Sequence, residues 1–179
     1  MRERKPMAGT KPRDSQKQRL YDAQRLAGFY DTGEVMTIKE AQKFVNQVLS
    51  HKKTKKLFEQ YRFQFSTFPS KILVEAGSGN HATMRTRNWQ LVRLIRLNKW
   101  GRNKFIILHE IAHHITWGRE SHGAEFADVL LQFTTRYLGK PDADRLANAF
   151  NVKRVRVMTK TKKARVPRKR EITSAKLVA

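Results

Sequence analysis

Cysteine is absent from this 179-residue chain, so neither a disulfide framework nor a thiolate metal site is open to it. Long apolar runs are absent too. Nothing approaches the ~18 consecutive apolar residues of a membrane span, and the first 20 residues are too polar to read as a secretory leader. A cytoplasmic protein is expected. Acidic residues are scarce: 15 Asp and Glu face 38 Lys and Arg, a net charge of +23. Residues 151–179 contain no aromatic side chain, which excludes base stacking by that segment and leaves only backbone contacts to any nucleic acid.

The basic charge is unevenly spread. Residues 1–19 carry net +5 and residues 151–179 carry net +10, leaving +8 on the 131 residues between. Basic segments of this kind gain affinity for nucleic acid by releasing counterions from phosphates, without reading sequence. The bland alternative is a solubilising tail. The composition therefore predicts one domain over residues 15–157, a disordered basic arm over 1–14 and a disordered basic tail over 158–179. With 39% hydrophobic residues, the chain can furnish a single modest core.

Along that domain, Leu20, Ala23, Ala27 and Tyr30 suit a short amphipathic helix. Thr37 and Glu40 form a capping box that opens a second, with Ile38, Ala41, Phe44, Val45, Val48 and Leu49 on its apolar face. Residues 51–56 read as a basic turn before a short helical piece ending near Tyr61, and His51 reads as solvent-facing. Strands are expected at 71–75, 81–86 and 90–97, bounded by Pro69, by Gly77 and Gly79, and by the turn at Trp100 and Gly101. His81 reads as structural, and Trp89 and Trp100 as packing anchors. A buried helical stripe follows at Phe126, Val129, Leu130, Phe133 and Tyr137, stopped by Gly139. Pro141 opens a last helix, on which Leu146, Ala149 and Phe150 close the core.

The chemistry is concentrated in residues 104–126. His109, Glu110 and His113 form His-Glu-x-x-His behind the apolar run Phe105-Ile106-Ile107-Leu108, with Asn103 as the expected N-cap. At about 100° per residue, positions i and i+4 share a helix face, so both imidazoles can address one ion. Zinc suits them, since it accepts neutral imidazole at about 2.0–2.1 Å and keeps an open position in catalytic sites. Shuffling this composition would produce the pattern in about 1% of chains, so core histidines alone are a poor account of it. Catalytic zinc takes three protein ligands. His122 is the expected third, on a loop between Gly118 and Gly123, and Glu125 is its rival. His114 lies about 100° round the helix from His113 and reads as a packing residue or a support to the ligands.

These residues predict one Zn2+ per chain and metal-assisted hydrolysis, with Glu110 as the acid–base group. Arg119 is a possible oxyanion donor, although a surface arginine is the simpler reading. Two alternatives stay open: a zinc hydrolase of a non-peptide substrate, and a non-enzymatic nucleic-acid-binding protein with a structural zinc. An acid–base residue at 110 argues against the second of these.

Leu108-His109-Glu110-Ile111-Ala112-His113-His114 followed by His122-Gly123-Ala124-Glu125-Phe126 resembles the zinc-binding core of the SprT-like metallopeptidases, which include the Spartan proteases of DNA–protein crosslink repair. Ile95-Arg96-Leu97-Asn98 resembles the strand before that family's active-site helix. The gap from His113 to His122 is shorter than is usual there. The chain more closely resembles a group of small metallohydrolases of actinobacteria and their phages. That likeness takes in Pro12-Arg13-Asp14-Ser15-Gln16 and Val155-Arg156-Val157, and so spans roughly residues 12–157.

The resemblance implies an α+β, zincin-like (minigluzincin/SprT-like) domain. It would have N-terminal helices, a small three-stranded sheet, and an active-site helix followed by a C-terminal helix. It also implies peptide-bond cleavage, a protein or peptide substrate received along a sheet edge, action near DNA, and a bacterial cytoplasm or infected cell as the setting.

Overall fold

A computed structural model describes residues 14–30, 34–61, 67–69, 71–78, 83–87, 92–117 and 119–158. These form six helices and a small sheet, an α+β arrangement dominated by helix. The elements in chain order are α1 (Lys17–Leu26), α2 (Ile38–Ser50), α3 (Lys52–Tyr61), β1 (Ile72–Ala76), β2 (Thr83–Arg87), β3 (Val92–Leu97), α4 (Lys104–Ile115), α5 (Ala124–Tyr137) and α6 (Lys140–Val152). The expectations for Gly79, His81, Trp89 and Gly118 lie outside the described residues.

Local chemistry sets most helix starts. The Thr37 hydroxyl accepts from the Glu40 N–H, and the Glu40 carboxylate accepts in return from the Thr37 N–H, which is the capping box in full. The Asn103 side chain accepts from the Ile106 N–H at 2.9 Å and fixes the start of α4. Gly139 adopts φ 106°, a left-handed conformation only glycine takes without strain, and this separates α5 from α6.

Residues 51–56 are a correction to the sequence reading. They form the first turns of α3 rather than a basic turn, because the His51 ring nitrogen accepts from the Lys53 N–H at 3.1 Å and caps the helix. Thr54, Leu57, Phe58 and Tyr61 then give α3 a continuous buried face. Trp100 is likewise less of an anchor than expected, being 43% exposed, with its ring 6.4 Å from that of Tyr30.

The sheet is mixed, in the order β1-β3-β2, with β3 parallel to β1 and antiparallel to β2. As the middle strand, β3 buries Arg93, Leu94, Ile95 and Leu97, consecutive and near-consecutive positions on both faces. On the outer side of β1, the Gln42 amide donates to the Ile72 carbonyl at 2.9 Å and accepts from the Val74 N–H at 2.8 Å. One side chain from α2 thus supplies the bonds a neighbouring strand would make.

Helix α4 runs through the centre, against α2, α3, α5, β2 and β3. Ten of its twelve residues are buried, so it is enclosed on all sides rather than amphipathic. A helix packed this completely has little freedom to tilt, and it holds any side chain it presents in a fixed place.

Candidate metal centre

His109 and His113 stand one turn apart on α4, and their Nε2 atoms are 3.2 Å apart. Two imidazole nitrogens about 2.0–2.1 Å from a tetrahedral ion would stand about 3.3–3.4 Å apart. The helix alone therefore presets the first two ligands. His122 comes from the loop between α4 and α5, and the nitrogens of His109, His113 and His122 all lie within 4.8 Å of one another. Among the described residues this is the one group able to hold a metal, and Glu125 is not part of it.

Two of the three rings have support for their other nitrogen. His109 Nδ1 meets the side-chain amide of Gln24 on α1 at 3.1 Å. His122 Nδ1 lies 2.7 Å from Asp14 Oδ2. This leaves His122 Nε2 buried without a hydrogen-bond partner among the described residues. Such an orphaned acceptor costs free energy in a packed interior unless an ion or donor completes it. The donor set fits a metal on this observation.

Aromatic rings enclose the cluster. Phe126, fully buried on α5, has its ring centre 4.9, 4.5 and 5.1 Å from those of His109, His113 and His122. Tyr21 on α1 lies 5.7 Å from His109 and 5.1 Å from His122. Burial behind these rings favours the neutral imidazole, the form in which histidine ligates. Burial lowers His109 well below the ordinary range and lowers His113 to about 3. His122 is also lowered by burial, partly countered by its bond to Asp14.

Glu110 is 6% exposed, and burial pushes its carboxyl up to about 7. Tyr21 is raised to about 12, first by burial and then by Glu110 and Asp14, so its phenol stays protonated. Arg119 is not a donor into this space. It is exposed, and its Nε donates to the Tyr61 carbonyl at 3.4 Å. His114 is fully buried and outside the cluster, and its own carbonyl accepts from Arg93 at 2.7 Å.

Asp14, Tyr21, Gln24 and Tyr30 were missed by sequence reasoning. Asp14 was assigned to the arm, yet it bonds to the third candidate ligand. Gln24 had left a signal, since it falls at i+4 from Leu20 on an otherwise apolar stripe. Comparison with protein-family models, curated proteins and solved structures gives no match to this chain. The functional argument therefore rests on the residues.

Proposed function

We propose that this chain is a zinc-dependent hydrolase of the zincin-like (minigluzincin/SprT-like) kind, a metallopeptidase that works close to nucleic acid. One observation carries the reading. Three neutral imidazoles converge, one with its Nε2 orphaned, and a buried carboxyl follows the first of them in sequence. Imidazole donors suit zinc, copper, iron and nickel, and zinc is the redox-inert Lewis acid among them. Bound there, it supplies polarisation of a carbonyl and a lowered pKa for water.

The chain's own residues account for the rest. Glu110 is a carboxyl whose pKa burial moves toward neutrality, as a general base needs. It takes a proton from the attacking water and returns it to the leaving nitrogen. Phe126 and Tyr21 pack against the ligand rings and lower the polarity around them.

The location near nucleic acid is supported by where the basic ends join the fold. Asp14 touches His122, and the Met158 N–H donates to the Ala124 carbonyl at 3.2 Å. Both segments of excess positive charge therefore connect to the chain beside the loop that carries His122.

The test is incubation of the protein with casein and with a DNA-binding protein, with and without DNA and a chelator, for the parent and Glu110→Gln. Cleavage by the parent should vanish with chelator and return with zinc. Glu110→Gln should keep its metal and lose at least ~10²-fold in rate. A zinc-loaded parent that cleaves neither protein in any arm would sink the peptidase reading and leave a hydrolase of another substrate.

A further inference from the structure

A ligand on a helix is oriented by its backbone, but a ligand on a loop needs other restraint. His122 sits on such a loop, and the restraint comes from 108 residues upstream, as Asp14 Oδ2 lies 2.7 Å from its Nδ1. A carboxylate there fixes ring orientation and tautomer together, with the proton on Nδ1 and Nε2 free toward the other two histidines.

Asp14 precedes α1 and is itself held by a network of three segments remote in sequence. The next residue, Ser15, directs both its N–H and its hydroxyl at Glu120 Oε1, each at 2.6 Å. Glu120 lies two residues before His122 on the ligand loop and also faces Arg156 at 3.7 Å. Arg156 donates to the Ser15 hydroxyl at 2.8 Å. Buried Gln16 pairs with the Arg156 backbone in both directions, donating to its carbonyl at 3.1 Å and accepting from its N–H at 2.8 Å. Gly123 completes the fit. A Cβ there would stand 2.9 Å from Glu120 Cβ, so only glycine lets Glu120 take this seat.

We infer that Asp14 is a positioning residue for the third metal ligand, and that residues 14–16, 120–123 and 154–158 form a clasp that presets His122. The inference rests on the metal reading above, and it does not require a peptide substrate. It gives a shared purpose to Asp14-Ser15-Gln16 and Val155-Arg156-Val157, which are far apart in the chain and meet at the metal loop. It also makes the coupling reciprocal: whatever holds the ends together raises metal affinity, and metal holds the ends together by the same factor.

The experiment measures zinc affinity of the full-length chain by competition with a chromophoric chelator. Cobalt(II) absorption reports ligand geometry, and urea denaturation in excess chelator reports the metal-free fold. Asp14→Ala should weaken zinc about 10–100-fold and alter the cobalt spectrum, while metal-free stability holds. Asp14→Asn should recover most of that affinity, because an amide oxygen still accepts from Nδ1–H. Glu120→Gln, which does not touch a ligand, should weaken zinc in the same direction by less. Parent-like zinc affinity in Asp14→Ala overturns the inference. So does a loss in Asp14→Ala that Asp14→Asn does not recover and that tracks a fall in metal-free stability, since that marks a structural role only. A parent that binds neither zinc nor cobalt removes the metal reading and this inference with it. If the parent binds zinc but hydrolyses nothing while Asp14→Ala weakens zinc, the proposed function fails and the clasp stands.

Discussion

Gln24 joins two residues of the candidate site through one amide, meeting His109 Nδ1 at 3.1 Å and accepting from the Tyr30 hydroxyl at 2.7 Å. Its NH2 group faces the imidazole. A neutral imidazole that ligates through Nε2 carries its proton on Nδ1 and needs an acceptor there. Metal loading therefore requires the amide turned by 180°, with its oxygen to His109 and its NH2 to the Tyr30 oxygen. Both contacts survive that exchange, because amide O and N are interchangeable in shape. Gln24→Leu should lower zinc affinity about 10–100-fold and cost the metal-free fold about 1–3 kcal/mol through unpaired buried groups. Chelator competition and urea midpoints check the two effects, and nitrogen-15 spectra of the zinc form should show His109 protonated at Nδ1. Zinc affinity unchanged in Gln24→Leu would show that the amide does not support the ligand.

The identity of the third ligand has its own test. His122 is 5% exposed and in the cluster, whereas Glu125 on the first turn of α5 is not. His109→Ala and His113→Ala should abolish zinc binding, His122→Ala should weaken it sharply, and Glu125→Ala should leave about one zinc per chain. Elemental analysis after gel filtration reads all four. Full occupancy in His122→Ala together with loss in Glu125→Ala would exchange their roles.

What could be read from the sequence was what local chemistry determines. The spacing of His109 and His113 follows from helix period, and the caps at Thr37 and Asn103 act within three residues. The strand at Val92–Leu97 was marked by its apolar run, but its place between β1 and β2 was not, since strand order is set by tertiary packing. Helix α3 hid behind its lysines, because the ring that caps it belongs to a residue that reads as exposed. Asp14 and Gln24 could not be placed, for their partners lie 108 and 85 residues away and no periodicity links them.

The basic tail gives a prediction in solution. Residues 159–179 hold eight Lys and Arg against the single acidic Glu171. Each phosphate contact they make should add about 0.9 to the slope of log K against log salt on duplex DNA. Fluorescence anisotropy of a labelled duplex across a salt series should show sequence-independent binding that weakens steeply toward physiological salt. Deleting 159–179 should flatten the slope by several units and leave zinc content unchanged. Identical slopes for the full and shortened chains would make the tail a bystander.

The last prediction concerns acid. His114 is fully buried, and neither ring nitrogen has a hydrogen-bond partner among the described residues. Burial, then Arg93 and His113, depress its pKa from 6.5 to about 3. Below pH 6.5 the unfolded chain takes up a proton at this position and the folded chain does not, so acid favours unfolding. The stability it contributes is complete above 6.5 and is lost as pH falls toward 3, at about 1.4 kcal/mol per pH unit. His113 behaves the same way without metal, so the comparison must isolate residue 114. His114→Phe keeps a ring in the slot and removes the titration. Urea unfolding in chelator at half-unit steps from pH 7 to 4 should show a slope shallower by about one proton in the variant. Parallel slopes for parent and variant would mean that His114 reaches water or a partner in the folded chain, and that its burial is not what makes the fold acid-labile.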